Sequence, residues 1–214
     1  MEPVFWHRKW ATGDIAFHEA QPNPSLTQHI DALELARPAR WFVPLCGKSL
    51  DVAWLLARGD RVVGVELNAS AIEALIESLD CPVQRTEHEP LVHYAGERVD
   101  LWVGDVLSLT SQQLGPVDAI YDRAALVALP GLMRKRYAAH LSAITNRSPQ
   151  LIETFAYEQE AMAGPPFSVT KNELHQLYGA HYRIERLSLE PLAKRLKDQI
   201  DADIQRWLLS PMSA

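Results

Sequence analysis

The residues best placed to do chemistry are Gly47, in a tight turn after the apolar run 41–45, and Glu66, at the end of a second apolar run. Ser49, just past the turn, can begin a helix. The order is therefore strand, glycine turn, helix, and a strand that ends on an acid. That order predicts a βαβ unit that binds a nucleoside-bearing cofactor.

The turn itself limits which cofactor fits. A glycine lets a ligand approach the backbone closely, and Glu66 can accept hydrogen bonds from ribose hydroxyls. A dinucleotide site favours three glycines, G-x-G-x-x-G, and here only Gly47 is present beside Lys48. The turn is poorly suited to a pyrophosphate, so S-adenosylmethionine (SAM), which has no phosphates, fits better. The alternative is an ordinary βα turn in an α/β core.

The rest of the chain supplies elements that can position these residues. Apolar strand-like runs alternate with helical patterns, which predicts a doubly wound, mostly parallel α/β sheet. We expect seven strands, with residues 82–88 as the third strand and a β-hairpin, 91–94 and 99–103, inserted after it. Ligands bind such sheets at the carboxyl ends of the strands. The residues predicted to meet there are Leu45, Glu66, Asp105 and Asp122-Arg123.

An aromatic-rich extension, residues 1–38, precedes the core, residues 39–214, within a single domain. Trp6 and Trp10 are four apart and share one helix face. Phe17 follows, and Ser25 is a candidate N-cap for a second helix. The extension is interpreted as a helical lid over the cofactor and substrate. The alternative is that it only packs on the edge of the sheet.

Composition excludes several classes of protein. The 214 residues are 47% hydrophobic and 22% charged, which is typical of a globular protein. The net charge of −6 and the absence of a basic run disfavour a nucleic-acid partner. No apolar run is long enough to span a membrane, and Cys46 and Cys81 form no metal-type spacing. A cytoplasmic monomer without a metal is expected.

Four segments carry a resemblance to a known family. They are Phe5-Trp6-His7-Arg8-Lys9-Trp10, the run from Trp41 to Asp51 with its Pro44-Leu45-Cys46-Gly47-Lys48 turn, Val63-Gly64-Val65-Glu66-Leu67, and the run from Tyr121 to Pro130. Together these segments resemble the bacterial branch of the thiopurine S-methyltransferase family. The resemblance implies a class I methyltransferase fold.

The resemblance also implies a set of SAM-binding residues: Trp10, Leu45, Gly47, Glu66, Asp105, Val106 and Arg123. In that set Trp10 packs over the cofactor and Glu66 binds the ribose. The segment Asp105-Val106 meets the adenine.

For the acceptor, the resemblance implies that Phe17 contacts the heterocycle. Arg123 and Arg195 are implied near its sulfur or ring nitrogens as the catalytic residues. Arg186 and Lys194 are alternatives for the position given to Arg195. Arg123 could also serve only in an ion pair with Asp122 or in a helix cap.

The reaction implied is in-line attack of a thiol sulfur on the methyl group of SAM. Thiopurines and other aromatic thiols are the expected small-molecule acceptors, and selenium or tellurium compounds are permitted by the resemblance. A nearby arginine favours the thiolate, since an opposite charge lowers the pKa of an acidic group. Two alternatives stay open: a nucleotide-dependent oxidoreductase and a non-catalytic SAM-binding protein.

Overall fold

The structure, a computed structural model, describes residues 3–212. Nine strands run through these residues: β1 Arg40–Pro44, β2 Arg61–Glu66, β3 Gln84–His88, β4 Leu91–Ala95, β5 Val99–Val103, β6 Ala119–Asp122, β7 Gln150–Ala156, β8 Tyr182–Pro191 and β9 Asp203–Pro211. They form one sheet in the order β3-β4-β5-β2-β1-β6-β7-β9-β8.

Seven α-helices are present in the same part of the chain: α1 Pro3–Ala11, α2 Pro24–His29, α3 Leu50–Ala57, α4 Ala69–Leu79, α5 Ser111–Leu114, α6 Gly131–Ile144 and α7 Lys171–Tyr178. Short 3-10 turns lie at Ile30–Leu33, Val106–Ser108, Leu126–Ala128 and Gln159–Ala161. Within residues 3–212 no helix is both long and apolar enough to cross a bilayer.

The five central strands, β5, β2, β1, β6 and β7, pair in parallel. The chain builds outward from β1 in one direction through β2 and β5, and then returns to the other side of β1 to form β6 and β7. The order therefore reverses between β1 and β6, which is the topological switch point where such sheets bind ligands.

Helices cover both faces of the sheet because neighbouring side chains of each central strand point to opposite faces. In β1, Trp41 and Val43 pack in one cluster with Leu55 of α3, and Phe42 packs in the other with Tyr137 of α6. Both clusters are almost completely shielded from solvent, so the central strands hold their ends at fixed positions for the site.

The α/β fold class is confirmed, whereas two details of the sheet differ from the prediction. The sheet has nine strands among the described residues instead of seven. The third parallel strand is β5 and not residues 82–88, because β5 pairs with β2 while β3 and β4 extend the sheet antiparallel. Every residue of β3 is exposed, and this polar character suits an edge strand.

The N-terminal extension serves two purposes. Helix α1 and the following segment to Asn23 lie at the carboxyl ends of the strands, whereas α2 packs Leu26 into the core on one face of the sheet. The N-cap of α2 is Asn23 and not Ser25, because the Asn23 side chain accepts the hydrogen bond from the Ser25 N–H. Ser25 is completely buried inside the first turn of α2.

Candidate active site

A cleft opens at the carboxyl ends of β1 and β6, at the switch point of the sheet. Five of the residues predicted from the sequence line it: Trp10, Phe17, Leu45, Gly47 and Arg123. They come from the N-terminal extension, from the turn after β1 and from the end of β6. The tertiary structure therefore brings together residues from distant parts of the chain.

The turn after β1 has the conformation needed for close approach to a ligand. Leu45 and Gly47 both have a positive φ, +50° and +51°. A left-handed backbone at a non-glycine residue such as Leu45 costs roughly 1–3 kcal/mol and is often found at ligand sites. A Cβ on Gly47 would lie 3.0 Å from Cζ2 of Trp10, so the indole packs directly on the glycine.

Glu66 lies beneath this turn and does not line the cleft. Its Oε2 accepts a hydrogen bond from the Gly47 N–H at 3.1 Å, and its Oε1 accepts one from the Asn68 N–H at 2.9 Å. Burial raises the pKa of Glu66, and the N–H groups of Asn68 and Gly47 partly offset this rise. The carboxylate thus joins the end of β2 to the turn after β1.

Asp105 and Val106 follow the next strand, β5, and are outside the cleft lining. The Gly104 N–H donates to the Glu66 carbonyl at 2.9 Å, which fixes this segment beside the end of β2. Asp105 is exposed and caps a 3-10 turn by accepting a hydrogen bond from the Leu107 N–H. Val106 is 8% exposed and belongs to the hydrophobic core.

Three aromatic rings of the N-terminal extension close the top of the cleft. The ring of Phe17 meets Trp6 and Trp10 edge-on, with centroids 6.0 and 5.6 Å apart. The His7 ring and the Asn68 side-chain amide lie 3.2 Å apart, which joins α1 to the end of β2. The Trp10 ring covers Gly47, and Phe17 and Trp6 pack beside it, so the three rings form an apolar roof at this end of the cleft.

Arg123, the first residue after β6, carries a fixed positive charge into the cleft. Its Nη2 lies 2.6 Å from Oε1 of Glu19, and its Nε lies 4.0 Å from Oε1 of Glu153. Burial alone would lower the pKa of Arg123, but the carboxylates of Glu19 and Glu153 raise it. The guanidinium therefore stays charged although its side chain is only 11% exposed.

Three hydrogen bonds anchor the extension next to Arg123. The Asn23 N–H donates to Oδ1 of Asp51 at 2.7 Å, so the extension is held at the start of α3. Ser25 donates to the Glu153 carboxylate of β7, and Nε of Arg206 on β9 donates to the Ser25 hydroxyl at 2.6 Å. The wall of the cleft on the β6 and β7 side is therefore a network of charged and polar side chains.

The other titratable residues that line the cleft include His18 and Cys46. Burial lowers the pKa of His18, and the cations Lys48 and Arg123 lower it further, so the imidazole is neutral at neutral pH. Burial raises the pKa of the Cys46 thiol well above its usual range, and the Glu66 carboxylate adds to this effect. Cys46 is thus a packed thiol and not a thiolate nucleophile, because the thiolate is the reactive form.

Arg195 does not line the cleft. It lies in the loop between β8 and β9, where its guanidinium pairs with Asp201 at 3.2 Å and its side chain is 59% exposed. The two arginines that the resemblance placed together are therefore in different surroundings, one buried at the switch point and one at the surface.

Comparisons with known proteins show the family of this chain. The family model described as "Thiopurine S-methyltransferase (TPMT)" matches residues 1–207. The chain belongs to the thiopurine S-methyltransferase family.

Relatives in this family match nearly the whole chain. A thiopurine S-methyltransferase of Xanthobacter autotrophicus is 47% identical over 98% of this chain and 99% of its own length. One of Teredinibacter turnerae is 45% identical over 98% of both chains. As a member of the thiopurine S-methyltransferase family, the protein is a methyltransferase that uses SAM as its methyl donor. The predicted enzyme class and the predicted cofactor are both confirmed.

Solved structures support the fold. A Burkholderia thailandensis 1,6-didemethyltoxoflavin-N1-methyltransferase with bound S-adenosylhomocysteine has a TM-score of 0.66 at 19% identity, covering 97% of this chain and 87% of that one. A TehB-like SAM-dependent methyltransferase of Corynebacterium glutamicum has a TM-score of 0.59 at 14% identity, covering 98% of both. These likenesses extend the class I methyltransferase fold to this member of the thiopurine S-methyltransferase family.

Sequence reasoning missed the carboxylates around Arg123. Glu153 interrupts the apolar run of β7 and is 4% exposed, so a charged residue in a buried strand was the available sign. Glu19 and Asn23 lie in the stretch before α2, which has no regular period and gave no sign at all.

Proposed function

We propose that the protein transfers the methyl group of SAM to the sulfur of aromatic or heterocyclic thiols such as thiopurines. The observation that carries this proposal is the position of Arg123, a buried cation that faces the same cleft as the Gly47 turn and its aromatic roof. The names of the relatives point to the same class of acceptor.

The β1 and β2 side of the cleft suits the cofactor. The Gly47 turn has no side chain to obstruct a ligand, and Trp10 packs against it as a flat apolar cover. Each carboxylate has about four lone-pair sites, and Glu66 uses one on each oxygen for backbone N–H groups. The remaining lone pairs of Glu66 can accept hydrogen bonds from ribose hydroxyls. Asp105-Val106 follows the neighbouring strand β5 and would contact the adenine.

Bound SAM supplies an electrophilic methyl group on a positively charged sulfur. Leu45, Gly47 and Trp10 would hold it at the switch point, beside Arg123. Most of the rate acceleration would come from this positioning, because holding two reactants in line converts a bimolecular step into an effectively unimolecular one.

The β6 side of the cleft suits an aromatic thiol. The ring of Phe17 offers an edge or face to a heterocycle, and Arg123 places a positive charge near the acceptor sulfur. An opposite charge within about 4–6 Å lowers the pKa of an acidic group, so Arg123 would favour the thiolate, the better nucleophile. The apolar roof lowers the polarity around Arg123, which would strengthen this interaction.

An acceptor panel tests the proposal. Purified protein is incubated with SAM and a series of thiols, including a thiopurine and substituted benzenethiols, together with selenium and tellurium compounds, and S-adenosylhomocysteine is measured. We expect turnover of aromatic thiols and weak or no turnover of aliphatic thiols of similar size, because only the former place a flat ring against Phe17 and ionise near neutral pH.

Calorimetry distinguishes the alternatives. Binding of S-adenosylhomocysteine without binding of NAD is expected, and the reverse would favour an oxidoreductase. Tight binding of S-adenosylhomocysteine with no turnover of any thiol would overturn the proposed activity and leave a SAM-binding protein.

A further inference from the structure

Arg123 already has an anionic partner in this structure. Its Nη2 lies 2.6 Å from the carboxylate of Glu19, a residue of the segment that joins α1 to α2. The two groups form a short ion pair. An acceptor thiolate that approaches Arg123 must therefore share the guanidinium with Glu19 or displace it.

The two carboxylates near Arg123 differ in how firmly they are held. Glu153 belongs to β7, is 4% exposed, and accepts a hydrogen bond from the buried Ser25. Glu19 belongs to a segment without regular structure, and its side chain is 41% exposed. Glu153 is thus a permanent neighbour of Arg123, whereas Glu19 reaches solvent and is free to exchange.

A second contact gives Glu19 a place to stay when it releases Arg123. Nδ2 of Asn23 lies 3.1 and 3.0 Å from the two carboxylate oxygens of Glu19. Asn23 is itself fixed by the hydrogen bond from its backbone N–H to Asp51. The Glu19 carboxylate can therefore rotate away from the guanidinium and keep a donor.

We propose that Glu19 is an exchangeable counter-ion: it yields Arg123 to the acceptor sulfur while the sulfur is anionic, and pairs with Arg123 again once the sulfur is a neutral thioether. This inference rests on the proposed function. It assigns to Glu19 a role in setting how tightly Arg123 holds the anionic sulfur.

The charge balance of methyl transfer explains why the exchange is directional. A bond forms between the acceptor sulfur and the methyl carbon, and the bond from that carbon to the sulfonium sulfur breaks with its electron pair kept by the latter. The thiolate becomes a neutral thioether, so its attraction to Arg123 is lost. Glu19 keeps its charge throughout and becomes the better partner.

The other titratable groups of the cleft do not replace Glu19. Lys48 is a cation and His18 is a neutral imidazole, so neither can pair with Arg123, and Asp51 is held by the Asn23 N–H and the Ser49 hydroxyl. Among these residues and Glu153, Glu19 has the short ion pair with Arg123.

The test compares the binding of two ligands that differ in charge at sulfur. Wild type, Glu19→Gln and Glu19→Asp are titrated in the presence of S-adenosylhomocysteine, which prevents turnover. The ligands are a benzenethiol at a pH where its thiol is ionised and the same compound S-methylated. Glu73→Gln, which removes an exposed carboxylate of α4, is the matched control.

Glu19→Gln is expected to bind the thiolate about tenfold more tightly than wild type, because a competing charge a few ångströms away is removed. Its affinity for the thioether should stay within about twofold of wild type, since that ligand has no charge at sulfur. The pKa of the bound thiol, followed by its ultraviolet absorbance, should fall by about one unit, the same tenfold factor. Glu73→Gln should change neither affinity, and Glu19→Asp, which keeps the charge, should resemble wild type.

An equal change in the affinity for thiolate and thioether in Glu19→Gln would overturn the inference. That pattern would mean that the substitution only disturbs the packing of the aromatic roof and does not act through charge. So would the same thiolate affinity in Glu19→Gln and Glu19→Asp. These binding measurements need no turnover. A failure of the acceptor panel therefore rejects the proposed function, and a failure here rejects the role of Glu19.

Discussion

Two buried carboxylates, Glu66 and Glu153, lie behind the lining of the cleft on opposite sides of the switch point and are satisfied in different ways. Glu66 is 7% exposed and accepts hydrogen bonds from the backbone N–H groups of Gly47 and Asn68. Glu153 is 4% exposed and has side-chain partners, the Ser25 hydroxyl and the guanidinium of Arg123. Burial raises the pKa of both carboxyl groups.

The difference explains how one cleft can bind a cofactor that is the same in every reaction together with acceptors of different structure. Backbone N–H groups are fixed by the turn and the strand end, so the Glu66 side has one geometry. On the Glu153 side, Arg123 also pairs with Glu19, whose side chain belongs to the N-terminal extension and is 41% exposed, so that side can rearrange. We therefore assign the rigid side to the cofactor and the adaptable side to the acceptor.

Arg123→Gln should have the largest effect. The variant lacks the charge that stabilises the acceptor thiolate, and kcat/KM for an aromatic thiol should fall about hundredfold, the size found when one transition-state donor is removed. The pH profile should also change, because the thiol now ionises only at its own pKa. Steady-state kinetics across pH measures both effects.

Arg195→Gln makes the same chemical change in an exposed ion pair with Asp201. Its kcat/KM should stay within about threefold of wild type, because exposed pairs contribute little. An equal loss in both variants would show that Arg195 acts on the acceptor, as the family resemblance implies, and that the loop between β8 and β9 moves. An Arg123→Gln effect confined to SAM affinity would remove the acceptor role of Arg123.

Asp122, the residue before Arg123, should make stability depend on pH. Burial raises the pKa of Asp122 to about 6, although the Leu126 N–H and the Tyr137 hydroxyl donate to its carboxylate. The folded state therefore binds the proton more tightly than the unfolded state does. From this group the free energy of unfolding should fall by on the order of 3 kcal/mol as the pH rises from about 4 to about 6.

Urea unfolding at several pH values measures this fall. Asp122→Asn removes the titrating group and should flatten the curve in that range, whereas Glu73→Gln should leave it as in wild type. A curve of unchanged slope in Asp122→Asn would contradict the prediction and assign the pH dependence to other buried carboxyls.

Gly47→Ala should have a smaller effect, on the cofactor side. The new Cβ would lie 3.0 Å from the Trp10 ring on a backbone with a φ of +51°, so the turn and the roof must shift. We expect about tenfold weaker binding of S-adenosylhomocysteine by calorimetry, a loss comparable to the cost of strained backbone. Affinity for the acceptor should change less.

Gly59→Ala is the control that distinguishes the effect of backbone strain from the effect of contact with Trp10. Gly59 also has a positive φ, +91°, but a Cβ there meets no atom within 4 Å. The variant should lose stability without losing cofactor affinity. Similar affinity losses in both variants would mean that the contact between Trp10 and the turn is not what shapes the cofactor side.

Local patterns allowed the fold class and much of the cleft to be predicted. Apolar strand-like runs gave the parallel sheet, because a strand buried on both faces needs a continuous apolar sequence. The glycine turn after β1 was visible because glycine freely adopts positive φ. The error concerned which strand follows β2 in the sheet, because β5 pairs with β2 far back along the chain whereas β3 pairs only with its chain neighbour β4.

The sequence by itself determined the alternation of strands and helices, the turn at Gly47 and the placement of Glu66 and Arg123 at strand ends, since each follows from the chemistry of a few neighbouring residues. Only the tertiary structure decided the partners of Arg123 and the burial of Ser25 against Glu153, 128 positions away along the chain. Such pairs form when packing brings distant segments together, and the energy of a buried charge then depends on which partners it meets.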